Sequence, residues 1–342
     1  MTASVALSDT TLLALYRTMV RIRAFENAAE AASQGGLSAY GKSAEGAAKV
    51  RGPLHLSTGQ EAVAAGVCAH LRRSDFLTST HRGHGHTLAK GADPARMMCE
   101  LFGKQSGYNG GKGGSMHIAD FSVGMLGANG VVAAGLPIAV GAAHAQKIKG
   151  TREAITACFF GDGAINRGPF LEALNWARIF ELPVLFVCED NRWSATTASG
   201  PMIAGEGAAA RARALDIAAL QVDGNDVLAV HAAAGQLVDA VRGGAGPRLL
   251  HAVTYRIKGH VSVDQAAYRD PAELEAARRT DPILRARAEC LLQGFAAADL
   301  DRIDHEAECE IADALAAADA APWPDPAEAF VDVQTTGAGQ WF

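Results

Sequence analysis

No stretch of this 342-residue sequence approaches the ~20 unbroken apolar residues that a helix needs to cross a bilayer, so no membrane span is expected. The first nine residues lack a basic segment followed by an apolar core, so no secretory leader is expected either. Long runs of one charge are missing too. With a formal net charge of −6, bulk electrostatics offer no surface for nucleic acid or an anionic membrane. There is no Cys-x-x-Cys pair. The six cysteines, Cys68, Cys99, Cys158, Cys188, Cys290 and Cys309, are scattered. Cys158 and Cys188 fall inside apolar stretches and read as buried thiols, a usage that fits a reducing, cytoplasmic compartment. Internal repeats are also absent. The chain is 49% hydrophobic and 20% charged, an ordinary globular composition, and its length admits one large domain or two modest ones.

What is present alternates. Apolar runs at 154–160, 183–188, 220–222 and 248–256 read as strands. Helical periodicity covers 8–32, where Ser8 or Asp9 can cap and Leu12, Leu15, Met19, Ile22 and Phe25 share a face. It recurs at 60–71, 94–102, 131–149, 227–241 and 271–318, the last with a break near Gly294. Pro137 is tolerable if it lies in the first turn of its helix. Gly135, Ala139, Ala142 and Ala143 in that helix are spaced for close packing, inside the subunit or between subunits. Segments 35–53, 102–114, 193–213 and 259–270 read as loops, and 322–342 as an extended tail. Strands alternating with helices predict an α/β fold, a mostly parallel central sheet with helices on both faces.

The most informative stretch is Phe160-Gly161-Asp162-Gly163-Ala164-Ile165-Asn166, followed by Cys188-Glu189-Asp190-Asn191. Each ends an apolar strand. If those strands are parallel neighbours, the Asp162 carboxylate and Asn191 carboxamide lie side by side at their carboxyl ends, where open α/β sheets bind ligands. Hard oxygen donors there suit Mg²⁺ or Ca²⁺, and Mg²⁺ completes its octahedron with phosphates and water. The pattern reads as a cage for a metal-bound diphosphate. A dinucleotide turn is the rival, with Gly161, Gly163 and Gly168 opening a helix. That turn requires Gly-x-Gly-x-x-Gly; here the third glycine is displaced, and Asp162 would repel the anion.

Thr80-His81-Arg82-Gly83-His84-Gly85-His86 is a second cluster. Arg82 fits an anion contact through a bidentate guanidinium. A transition-metal site is disfavoured by the fixed charge of Arg82 and the lack of any cysteine or carboxylate within the cluster. The glycines of 102–114 permit backbone to approach a ligand or another chain closely. Tyr255-Arg256-Ile257-Lys258-Gly259-His260 ends a strand, and a histidine at such an exit can donate a proton or contact a diphosphate.

Gly-Asp-Gly, then 27 residues, then Asn resembles the thiamine diphosphate motif of the transketolase and 2-oxo-acid dehydrogenase superfamily. Gly111-Lys112-Gly113-Gly114-Ser115-Met116-His117, Gly127-Ala128-Asn129-Gly130-Val131-Val132 and the 80–86 and 255–260 segments resemble the α subunits of its E1 components. The acetoin and pyruvate dehydrogenase branches are the most similar. The resemblance spans about residues 12–333. It implies that Asp162, Asn191 and the Trp193 carbonyl ligate Mg²⁺, and that His81, Arg82, Gly161, Gly163, Ala164 and His260 contact the cofactor diphosphate. Gly130 and Val132 would meet its aminopyrimidine through their backbones. His260 and His55, the latter at the active-site entrance before Thr58-Gly59-Gln60-Glu61-Ala62, would be catalytic. It further implies a helical arm at 1–34, a diphosphate-half binding domain at 35–270, and a C-terminal helical segment and tail at 271–342.

Several positions depart from the family. His81 stands where many relatives carry tyrosine, Lys258 replaces a histidine, and Val261 replaces a serine that kinases phosphorylate, so kinase control there is not expected. Residues 38–49 look longer than the matching loop. Only the diphosphate-binding half fits in this length, so the resemblance implies an E1 β subunit in an α2β2 heterotetramer. That subunit supplies the activating glutamate, and the lipoyl domain of an E2 acyltransferase receives the acyl unit. Two other readings remain: a split transketolase-like or acyloin-forming enzyme, and a non-catalytic NAD-binding or regulatory subunit.

Overall fold

The computed structural model describes residues 9–34, 48–50, 52–151 and 153–331. Its strands are β1 (Phe76–Thr80), β2 (Met125–Asn129), β3 (Thr156–Gly161), β4 (Val184–Asp190), β5 (Trp193–Ser194), β6 (Thr197–Ala198), β7 (Ala219–Asp223) and β8 (Arg248–Val253). Six of them form one sheet in the order β2-β1-β3-β4-β8-β7, every pair parallel, while β5 and β6 make an antiparallel hairpin. Side chains alternate across a strand with period two, and both sets are apolar because both faces are covered. Ala157, Phe159, Leu185, Val187 and Leu250 pack against helices α1 (Asp9–Ser33), α2 (Glu61–Cys68), α4 (Pro94–Leu101), α8 (Val227–Arg242) and α11 (Ala297–Ala320). Cys158, Phe160, Val184, Phe186 and Cys188 face α5 (Gly135–Ile148), α6 (Gly168–Ile179) and α7 (Gly207–Arg213). A third cluster joins α1 to α10 (Pro282–Leu292) and α11 through Leu12, Tyr16, Met19, Cys290 and Leu300. The short helix α3 (His84–Ala89) follows β1, and α9 (Pro271–Arg279) precedes α10.

The alternating pattern is borne out, with corrections. Strands β1 and β2 are absent from the sequence reading, because Thr-Ser-Thr and Gly127 dilute their apolar signal. The 80–86 cluster, given no secondary structure in the sequence reading, runs from the end of β1 into helix α3. Segment 193–213, read as irregular, contains the β5–β6 hairpin and α7. Helix α5 begins at Gly135 rather than 131, which places Pro137 in its first turn. Strand β8 stops at Val253. The 271–318 helix breaks twice: Gly294 adopts φ +90°, and Asp281 caps α10 by accepting from Ile283 N ahead of Pro282. Ser8 and most of loop 38–49 lie outside the described residues. Cys158 and Cys188 are buried free thiols, and no helix of the described residues is long and apolar enough to cross a membrane.

The chain leaves β1 toward β2 on one side and β3 toward β4 on the other. The strand order therefore reverses between β1 and β3, and a crevice opens at their carboxyl ends.

Candidate functional site

Strand β3 runs buried to Phe160 and releases the chain at Gly161 into a 3-10 turn, Asp162–Asn166. Gly161 pairs with Glu189 in β4, so Asp162 and the residues after Asp190 emerge side by side. Asp162 is 3% exposed, and its Oδ2 has no hydrogen-bond partner. Burial pushes its carboxyl above the usual carboxylate range, against a hydrogen bond from Ser199 and with help from nearby Asp190. A buried carboxylate oxygen without a donor suits a cation. Asn191 is held in place beside Asp162: its Nδ2 donates to Gln60 Oε1 (2.7 Å), and its Oδ1 accepts from Trp193 N (3.1 Å). Arg192 between them takes a left-handed φ of 69°. A β-carbon at Gly163 would lie 2.3 Å from Ser194 Oγ, so any larger residue there would have to displace that hydroxyl.

Across the crevice the end of β1 delivers His81 and Arg82. The Arg82 guanidinium is buried and donates to Leu56 O (2.7 Å), His260 O (3.0 Å) and His260 Nδ1 (3.1 Å). Burial, then Arg256, holds it well below the usual guanidinium range. Because Arg82 donates to His260 Nδ1, the proton of that neutral ring sits on Nε2. His55, His81 and His260 converge edge to face, with ring centroids 4.6, 4.8 and 5.7 Å apart. His55 Nδ1 and His81 Nε2 are buried without partners. Burial first, then Arg82, lowers the three to about 3, 2 and 4 respectively. Neutral imidazoles beside buried guanidinium groups offer N–H donors to an anion, whereas a bare cation would meet the arginine charge. His84 and His86 turn away into the core: His84 bonds Glu26 (3.0 Å) and Ser115 (2.9 Å), His86 bonds Glu189 (3.1 Å) and Ser79 (2.8 Å).

The residues read from the sequence as one site lie together. His55, His81, Arg82, Gly130, Val132, Gly161, Asp162, Gly163, Ala164, Asn191, Trp193 and His260 all line one cavity of about 210 Å³. Sequence reasoning passed over two contributors. Arg256 is fully buried, lines the same cavity and donates to Ala195 O (2.9 Å); its place inside the 255–260 motif was the available signal. Gln60, which orients Asn191, has no sequence signal beyond its position before α2. The glycines of 102–114, read as making room for a ligand or another chain, instead bring backbone onto the carboxylate of Glu100. Among the described residues Asp162 is the one carboxylate that lines the cavity.

Residues 42–327 match the family described as the dehydrogenase E1 component. The subunit alpha of acetoin:2,6-dichlorophenolindophenol oxidoreductase from Cupriavidus necator is 42% identical over 333 residues, covering 97% of this chain and 96% of that protein. Its counterpart from Bacillus subtilis is 40% identical over 329 residues, covering 96% and 95%. The pyruvate dehydrogenase E1 component subunit alpha of Rhizobium meliloti is 37% identical over 323 residues, covering 94% and 89%.

Proposed function

Because the chain belongs to the dehydrogenase E1 component family, we propose that it is the α subunit of a thiamine diphosphate- and Mg²⁺-dependent E1 component. Its substrate is acetoin, and the acyl unit passes to a lipoyl-bearing E2 acyltransferase. The observation that carries this reading is the cavity itself, which is lined by an unpartnered, buried Asp162 oxygen together with Arg82, Arg256 and three neutral imidazoles. A divalent cation with a diphosphate satisfies both walls at once. Asp162, Asn191 and the Trp193 carbonyl would hold the metal. Arg82, His81, His260 and the backbone of Gly161, Gly163 and Ala164 would hold the diphosphate. Gly130 and Val132 would face the aminopyrimidine.

Thiamine diphosphate, when bound, would supply a carbon acid whose conjugate base is the nucleophile toward a carbonyl, and the electron sink for carbon–carbon cleavage. The protein's part is orientation and proton management. His260 presents Nε2–H, held by Arg82 behind it, as a donor to negative oxygen in the cavity. Asp264 accepts from His260 N (2.7 Å) and Tyr268 Oη (2.7 Å), which fixes the loop that carries His260. His55 stays neutral between His81 and His260 and can pass or accept a proton at the entrance.

The one carboxylate that lines the cavity among the described residues would be committed to the metal, so the carboxylate that activates the aminopyrimidine would come from a β subunit. A surface for that subunit adjoins the cavity. Val131 and Val132 are exposed at its mouth, and α5 continues with Ile138, Gly141, Ala145 and Ile148 facing outward. Neighbouring α6 adds exposed Leu171, Trp176 and Ile179. Ala139 and Ala143, two of the small residues noted in the sequence, pack inward against the sheet. The assembly we propose has two α and two β chains.

The test is reduction of an artificial electron acceptor by this chain co-expressed with its β partner, with thiamine diphosphate and Mg²⁺. Acetoin, pyruvate and 2-oxoisovalerate are compared. Reduction with acetoin is expected. The pyruvate dehydrogenase relatives at 37% identity make pyruvate the second reading, and preference for pyruvate would install it. No reduction with any of the three despite bound cofactor would refute both.

A further inference from the structure

Glu100 lies in the last turn of α4 and is fully buried. Its Oε2 accepts backbone N–H groups from Asn109 (2.7 Å) and Gly111 (2.9 Å), and its Oε1 accepts from Gly113 (2.7 Å) and Gly114 (3.0 Å). Glycine-rich turns whose N–H groups converge usually enclose a phosphate or other external anion. Here the anion is the chain's own side chain. The sequence permits the wrap because Gly110, Gly111 and Gly114 take φ of 64°, 78° and 62°. A β-carbon at Gly107 would sit 2.4 Å from Glu100 Oε2, and one at Gly111 2.4 Å from the Gly103 carbonyl carbon. Each acceptor site of the carboxylate is used.

The wrapped loop leads directly to the cavity. After Gly114, Ser115 bonds His84 Nε2 (2.9 Å), and Met116 lines the cavity wall. Met116 Sδ and His117 Cε1 lie 3.5 and 3.6 Å from where a β-carbon of Gly130 would be. Asn109 Nδ2 donates to His117 O, tying the start of the loop to its end. Ile118 O then accepts from Ala128 N (2.8 Å), just ahead of Gly130. Tyr108, just before the wrap, packs against a core cluster and bonds Asp93, but within 109–114 itself no side chain belongs to one. Four of the bonds that hold the backbone of 109–114 therefore end on Glu100, with Tyr108 anchoring the segment before the wrap and Ser115 the segment after it.

We propose that Glu100 is a positioning residue: its carboxylate is the template on which loop 109–114 folds, setting Met116 and His117 against Gly130. It thereby controls affinity for the heterocyclic end of the cofactor without touching it. The inference rests on the thiamine diphosphate reading of the cavity. In Glu100→Gln an NH₂ group replaces one oxygen and faces two N–H donors.

The experiment uses the αβ complex carrying Glu100→Gln, with hydrogen exchange of peptides spanning 109–114 and a thiamine diphosphate titration of activity. Exchange there should be at least tenfold faster than in wild type. The KM for thiamine diphosphate should rise at least tenfold, with kcat at saturation within twofold. Glu100→Asp keeps four acceptor sites at shorter reach and should raise KM about threefold; it carries the test alone if the Gln variant fails to assemble. Unchanged exchange, or faster exchange with KM within twofold of wild type, would overturn the proposal. Failure of wild type itself to respond to thiamine diphosphate would instead overturn the cofactor reading, since the exchange result does not depend on it.

Discussion

Asp162→Ala separates what Asp162 does for a metal from what it does for the fold. The side chain is 3% exposed; Ser199 hydrogen-bonds its carboxylate, and Oδ2 has no partner. Burial, opposed by that bond and aided by Asp190, raises its pKa above the ordinary 3.8. An acid whose pKa rises on folding destabilises the folded state as pH climbs from the unfolded value through the folded one, and the penalty persists at neutral pH. Without metal, the alanine variant should therefore melt at pH 7 no lower than wild type. With Mg²⁺ and thiamine diphosphate the comparison inverts. Breaking a buried charge pair costs about 3–5 kcal/mol, and each ~1.4 kcal/mol is tenfold in affinity. Cofactor affinity should fall by roughly two to three and a half orders of magnitude. Calorimetric titration of the αβ complex with thiamine diphosphate and Mg²⁺ reads the affinity, and melts with and without both ligands read the stability. A variant that binds within tenfold of wild type would sink the metal assignment.

The imidazole cluster gives a pH signature. Burial and Arg82 lower His55, His81 and His260 to about 3, 2 and 4. A histidine whose folded pKa is depressed contributes stability above its unfolded value that is lost as pH falls below it. Melting of the cofactor-free complex should be flat from pH 8 to 7 and decline below about 6.5, with a shallower decline in His81→Gln; identical acid limbs would remove His81 from the cluster's energetics. On α5, Gly141 is exposed, with no other atom within 4 Å of a β-carbon placed there. Gly141→Phe should leave the α chain folded but block association with β in size-exclusion chromatography, and normal assembly would exclude this face from the interface.

The sheet and the placing of Asp162 beside Asn191 were legible because both follow from local patterns. Two short, nearly unbroken apolar runs followed by turn residues read as buried strands, and whatever follows them emerges at their carboxyl ends. Strands β1 and β2 were not legible, since Phe-Leu-Thr-Ser-Thr and Met-Leu-Gly-Ala-Asn gain their strand character from pairing with β3 and with each other. The same holds for α3, whose two histidines are buried with partners because Glu26 and Ser115 meet His84, and Ser79 and Glu189 meet His86, from outside the helix. Gln60 and Arg256 were overlooked for a related reason: each acts on a residue more than 60 positions away. Motif spacing reveals what a strand end presents, and it is silent about what holds that residue still.

What holds the site still is a set of buried glutamates on rigid helices. Glu26 on α1 accepts from Ser57 N (2.9 Å), Ser57 Oγ (2.6 Å) and His84 Nδ1 (3.0 Å). Glu61 on α2 accepts from Gly59 N (2.9 Å) and pairs with Arg23. Between them runs the segment that carries His55, the Leu56 carbonyl for Arg82, and Gln60 for Asn191. Burial pushes Glu26 upward, but His84 and Ser57 outweigh it and leave the carboxyl lowered. A carboxylate depressed on folding contributes stability at neutral pH that is lost on acidification. Glu26→Gln should therefore cost about 3 kcal/mol in urea unfolding of the complex at pH 7, and progressively less toward pH 4. It should also lower kcat, because His55 and Gln60 lose their anchor together. A loss under about 1 kcal/mol, or full stability loss with kcat intact, would show that this segment keeps its geometry without the glutamate.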